Sequence, residues 1–185
     1  MLKKRILLSL IYTFLVLAIC IIPIQMNKEY TVNEALEIAF KEATIHNENA
    51  KLYYMSSLDE RSNTSSELGK NGHRRAWNFD FGIENSNNHI VFTLHKGEIK
   101  NLTFTLGPDI PNELMSLEDV KIDSPEAVKI ARQDFNLKPG ENWAYGYHYN
   151  VMRLDDIPMM LVVGLNSNKK MHQIKFNTLT GNVIK

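Results

Sequence analysis

The chain has 185 residues, 44% hydrophobic and 23% charged, with 21 basic and 21 acidic side chains. This is the composition of a globular protein and excludes a wholly disordered one. Lys3, Lys4 and Arg5 are the only charges in residues 1–25, so the rest of the chain holds 18 basic against 21 acidic groups. That balance argues against nucleic acid as a partner, because phosphates call for a concentrated basic surface.

The basic triplet precedes residues 6–24, a run of 19 residues without a charge. As a helix it spans roughly 28 Å, close to the hydrocarbon thickness of a bilayer. Three fates compete for it. A cleaved signal peptide needs a shorter apolar run and a small-x-small site, for which Ala18-Ile19-Cys20 is a poor match. A lipoprotein would use Cys20, but Ile19 before it is not small. The expectation is an uncleaved single-pass anchor at residues 6–24, N-terminus cytoplasmic and residues 27–185 outside. Cys20 is the one cysteine, so the outer part has no disulfide and no thiol nucleophile. This fits a Gram-positive type of bacterial surface.

A short polar linker covers residues 25–30. Thr31 and Glu34 then form a capping box, and Leu36, Ala39, Phe40 and Ala43 follow at helical spacing. Leu52 to Met55 read as a second amphipathic turn or helix. Residues 59–72, rich in Ser, Asn and Gly, read as a surface loop. Trp77, Phe79, Phe81 and Ile83 alternate with polar or small residues and make a strand with one buried face. Strands at 90–94 and 99–106 follow, then a connector at 109–120. A second helix starts with Ser124 as N-cap and Pro125 at the first position; Ala127, Ile130, Ala131 and Phe135 supply its buried face. Strands at 143–151, 159–165, 171–177 and 183–184 complete the chain.

The order repeats. Residues 34–39 read Glu-Ala-Leu-Glu-Ile-Ala and residues 126–131 read Glu-Ala-Val-Lys-Ile-Ala, each followed by an aromatic strand starting at Trp77 or Trp143. Glu34 to Trp77 is 43 residues and Glu126 to Trp143 is 17, so the first unit carries 26 extra residues, at about 47–72. The expected fold is α+β: an N-terminal transmembrane helix, then two tandem helix-plus-antiparallel-sheet modules. The domains are then 1–25, 26–110 and 111–185, with 47–72 an insertion that the fold does not need.

The run Ser124-Pro125-Glu126-Ala127-Val128-x-Ile130-Ala131, Trp143, and the run Ile174-Lys175-Phe176-Asn177-x-x-Thr180-Gly181-Asn182-Val183-Ile184 resemble the PepSY module of bacterial surface proteins. The resemblance covers residues 122–185 well and 30–107 weakly. It implies cystatin-like units, a helix on a curved antiparallel sheet, and non-catalytic roles. An anchor followed by two such modules also resembles regulators of bacterial cell-wall elongation. The implied function is a membrane-anchored, extracytoplasmic binding or regulatory protein acting on an envelope protein partner, in cell-wall synthesis on this resemblance; the alternative is a PepSY-type inhibitor or regulator of a secreted or membrane protease.

Chemistry-bearing residues form no motif. The histidines at 46, 73, 89, 95, 148 and 172 lack metal-ligand spacing, although His148 and His172 are placed to meet across a sheet. Asp155-Asp156 reads as turn chemistry. Ser56-Ser57 and Ser65-Ser66 lack the glycines of a nucleophile elbow. No catalytic, cofactor-binding or metal residue is assigned, and no cofactor is expected. Tyr145, Tyr147 and Tyr149, with His148 between them, keep polar tips along one strand and are the candidate partner surface. The opposite face, Ala144-Gly146-His148-Asn150, is small enough for close approach by another element.

Overall fold

Thr31 stops being an ordinary linker residue because Glu34 answers it. In the computed structural model, which describes residues 28–60, 65–109, 111–141 and 144–184, Thr31 Oγ1 accepts from Glu34 N at 3.2 Å and Glu34 Oε2 accepts from Thr31 N at 2.9 Å. This reciprocal cap starts helix α1, Val32–His46, which buries Val32, Ala35, Leu36, Ala39 and Ala43. Helix α2, Ser124–Gln133, is capped by Asp123 rather than by the expected Ser124. Ser124 is instead buried between the two helix starts: its hydroxyl donates to Gly72 O at 2.7 Å and accepts from Val32 N at 2.9 Å. Asp123 Oδ1 accepts from Asn33 N at 3.1 Å. Side chains of one helix entrance thus satisfy orphan N–H groups of the other. Phe135, expected in the buried face of α2, is exposed.

Eight antiparallel strands follow: β1 Ala50–Ser57, β2 Ala76–Ile83, β3 Asn88–His95, β4 Glu98–Leu106, β5 His148–Leu154, β6 Ile157–Leu165, β7 Met171–Asn177 and β8 Val183–Ile184. They form one sheet in the order β4-β3-β2-β1-β5-β6-β7-β8. Alternation places Trp77, Phe79 and Phe81 of β2 opposite Leu94, Phe92 and Ile90 of β3 on the helix-covered face. Phe81 and Phe92 stack at 5.8 Å, and Phe40 of α1 meets Phe81 edge-on at 5.0 Å. A single apolar cluster runs from Leu36 and Phe79 through Met55 and Tyr149 to Val128 and Phe176.

Two expectations are overturned. Among the described residues the fold is one sheet with two α-helices, not two tandem helix-plus-sheet modules. Each half has a helix and four strands, but β1 pairs with β5 (Met55 opposite Val151), which joins the halves through backbone hydrogen bonds and a shared core. A lone half would expose that edge and half of that apolar surface. Residues 47–72 are no dispensable insertion either. They supply β1, the strand at the join, which was expected as a helical turn, and Leu68 O beyond it accepts from Tyr147 N at 2.7 Å.

Trp77 lies on β2, the second strand of its half, whereas β5, the first strand of the other half, begins at His148. Trp143 lies outside the described residues, as do the anchor residues 6–24. Among the described residues no helix is long and apolar enough to cross a membrane.

Candidate functional site

Arg74 lies two residues before the start of β2 and is 3% exposed. A buried guanidinium needs acceptors for its donors. Nη2 donates to Leu58 O at 2.8 Å and to Asp59 Oδ1 at 2.7 Å; Nη1 donates to Tyr145 O at 3.1 Å and reaches Tyr147 O at 3.5 Å. Asp59 Oδ2 in turn accepts from Tyr145 N at 3.1 Å. The pair fastens the end of β1 and the start of β2 to the chain entering β5.

His148 extends this clasp. Its Nε2 lies 3.1 Å from Asp59 Oδ1, close enough for attraction but without the alignment of a hydrogen bond. Its Nδ1 lies 3.1 Å from Ser57 Oγ, and that hydroxyl accepts from Tyr149 N at 3.0 Å. Burial pushes the His148 pKa below the ordinary imidazole value, the Arg74 charge adds to the effect, and Asp59 opposes it.

Ser57, His148 and Asp59 are the residue types of a hydrolase triad. Their setting is that of a strut. Ser57 is 6% exposed, and its hydroxyl is held by the Tyr149 amide at the end of a strand rather than on a strand-to-helix turn. The sequence reading passed over this cluster, since its members are scattered over residues 57–148 and only β1–β5 pairing brings them together.

The expected tyrosine surface is corrected here. Tyr147 is 3% exposed and Tyr149 is 0%. The Tyr149 hydroxyl donates to Gly69 O and its pKa is raised by burial; the Tyr147 hydroxyl donates to Leu137 O at 3.2 Å. Their polar tips serve internal carbonyls and leave nothing for a partner. Tyr145 is half-buried, its amide held by Asp59. Gly69 and Gly146 allow this packing: both have positive φ, and a Cβ on either would collide with a backbone oxygen, Tyr147 O or Leu68 O.

The small face holds something else. Ala144, Gly146 and His148 line a cavity of about 210 Å³ together with Val163, Gly164 and Leu165 of β6. Close approach there gives a contact, Gly146 against Leu68 O, with a space beside it. Neither Ser57 nor Asp59 lines it, so a bound molecule meets the imidazole and not the hydroxyl.

The histidines are less scattered than expected. His89 is buried, with Nδ1 2.6 Å from Asp80 Oδ1 and Nε2 3.1 Å from Pro108 O. His95 meets Glu60 at 2.7 Å. Burial raises the Glu60 pKa, but the His95 hydrogen bond and the charges of Lys96 and Arg75 outweigh it and leave it lowered. His148 and His172 do not meet: His148 is opposite Val163 and His172 opposite Gly164, which point to opposite faces of β6. Among the described residues no three His, Cys, Asp or Glu side chains are placed to hold a metal ion. Asp155 and Asp156 are the turn between β5 and β6, both with positive φ.

The three most exposed large apolar side chains among the described residues lie on β4 and α1. Phe104 and Leu106 of β4 are 65% and 71% exposed, and Ile45 of α1 is 70% exposed. Helix α1 packs on β1, β2 and β3; on β4, Ile99 and Leu102 reach the core, and His46 of α1 meets Phe104 edge-on at 5.5 Å. Among the described residues β4 pairs with β3 alone, so its outer edge carries unpaired backbone groups beside this patch.

No family model matches the chain, and no curated protein matches it in sequence. The fold is similar to that of a "putative lipoprotein" from Clostridium difficile 630 in its crystal structure, with a TM-score of 0.59 at 13% identity, covering 86% of this chain and 95% of the other. At that identity the likeness is one of fold.

Proposed function

We propose that this protein is a non-catalytic, extracytoplasmic regulator, held at the cell membrane, that binds an extended segment of an envelope protein along the free edge of β4. The observation that carries this reading is the uncovered edge itself, a nine-residue strand with Phe104 and Leu106 exposed on one face. Adding a strand supplies hydrogen bonds to the backbone, and alternate side chains of the incoming segment cover the apolar pair. Lys28 lies beside Gly97 at the start of β4, so the chain arrives from residues 1–27 at one end of that strand. Phe104 stands about 20 Å further along at the usual strand rise.

Supporting the membrane location are the charge-free run at residues 6–24 and the similar fold of a protein named as a lipoprotein. The resemblance of residues 122–185 to PepSY modules supports a regulatory role. Binding rather than turnover accords with the polar cluster being a strut around Arg74.

A photo-crosslinker at Thr103 or Thr105 is expected to capture one envelope protein, and the double change Phe104→Ser and Leu106→Ser is expected to abolish capture. Undiminished capture by that variant rules out the edge. If the captured protein is a protease and is slowed by the purified chain, the inhibitor reading replaces regulation of wall synthesis. Retention in membranes after carbonate washing with Met1 or Leu2 intact supports the anchor; a lipid on Cys20 supports the lipoprotein form.

A further inference from the structure

The cavity beside His148 has a pair of opposite charges at its rim and a mixed lining, in which Val163, Leu165 and Met171 supply an apolar part. Lys169 Nζ lies 3.7 Å from Glu141 Oε2, and both side chains line the cavity while remaining mostly exposed. At that separation and exposure the pair does little for stability. Met171, also in the lining, is 54% exposed. Part of the polar surface inside is already satisfied within the chain, although His148 Nε2 makes no hydrogen bond. Gly140 and Gly146 exchange backbone hydrogen bonds at 2.6 and 3.1 Å, His148 Nδ1 faces Ser57, and His148 Nε2 is buried against Asp59. Val163 and Leu165 complete the interior.

We infer that this cavity binds a free α-amino acid with an apolar side chain. The side chain enters against Val163, Leu165 and Met171. The α-ammonium pairs with Glu141 and the α-carboxylate with Lys169, each replacing one half of the rim pair. A volume of about 210 Å³ holds many waters' worth of space, since one water needs only ~10–15 Å³ on the same measure. It is small for a drug-sized ligand. A fatty acid would use Lys169 alone and an alkylamine Glu141 alone; only a zwitterion uses both. The inference is independent of the β4 edge and makes the protein responsive to a small molecule as well as to a partner.

The test is titration of the full chain, followed by the methyl resonances of Val163, Leu165 and Met171. L-leucine is expected to shift them saturably, while N-acetyl-leucine and leucinamide bind about tenfold or more weakly, each having lost one charge-assisted contact. Glu141→Lys and Lys169→Glu are each expected to weaken leucine binding, and the double reversal to restore it with the ligand turned round. A merely structural rim pair predicts no such recovery of binding. The inference is overturned if leucine moves none of the three residues at millimolar concentration, or if either blocked analogue binds as tightly as leucine. Neither result touches the β4 reading, which is scored by crosslinking alone.

Discussion

The two halves of the molecule run through the same elements, a helix and then four antiparallel strands, and finish them differently. In the first, α1 is 15 residues long and lies over aromatic strands, yet the outermost strand β4 is long, open and apolar. In the second, α2 has 10 residues and the sheet ends in β8, two residues that pair with Lys175 and Phe176 of β7. A short edge strand is a poor template for another chain, and a nine-residue one is a good one. β4 does carry one restraint: Asn101 has φ of 55°, at an irregularity in pairing with β3. Such a bulge divides the strand into two regularly paired stretches, and Phe104 and Leu106 lie in the one beyond it. The same order of elements thus serves as closed structure on one side and as an offered edge on the other.

Changes that fall on the shared core or clasp test whether the halves are one body. Trp77→Ala removes a fully buried indole whose Nε1 donates to Arg74 O at 3.1 Å, and is expected to cost about 3–5 kcal/mol in urea unfolding. The unfolding should remain one transition reported equally by probes in both halves; two separated transitions would break the picture of a common core. Arg74→Met leaves Asp59 and several carbonyls without their donor. It is expected to cost about 2–4 kcal/mol, the lower part of the range reflecting the partial exposure of Asp59.

Acid should act through His148. Its folded pKa is depressed, so the folded state binds its proton less readily than the unfolded chain. The contribution is complete above the unfolded value near 6.5 and is lost as pH falls through that value toward the folded one. The slope from this one group is at most about 1.4 kcal/mol per pH unit. Subtracting the profile of His148→Gln isolates it from the paired His89 and His95, and parallel profiles of the two proteins would remove His148 from the account. The smallest effect on stability is expected at the open edge. Phe104→Ser with Leu106→Ser should change unfolding by less than about 1 kcal/mol, because both side chains are mostly exposed already. A larger loss would show that the patch belongs to the fold and is not held ready for a partner.

Local signals read well. The capping box at Thr31 and Glu34, the burial of Trp77, Phe79 and Phe81, and the positions of β3, β4, β6, β7 and β8 all follow from short-range pattern. What failed was pairing. Residues 50–57 look like an insertion when aligned against the second half, since nothing in Leu52-Tyr53-Tyr54-Met55 names β5 as a neighbour. The three tyrosines looked too polar for a core, because the carbonyls of Gly69 and Leu137 that receive two of their hydroxyls lie far off in the chain.

The first helix with its capping box, the strands from β2 onward other than the start of β5, and the alternation of buried faces on β2 were determined by the sequence alone, because each depends on residues within a turn or two of one another. The tertiary structure decided the rest. It made β1 a central strand, turned Ser57, Asp59, Arg74 and His148 into one clasp, enclosed the cavity beside His148 and left β4 open. Each of these depends on contacts between residues distant in sequence, and their free energies come from burial and hydrogen-bond satisfaction that exist only once the sheet is assembled.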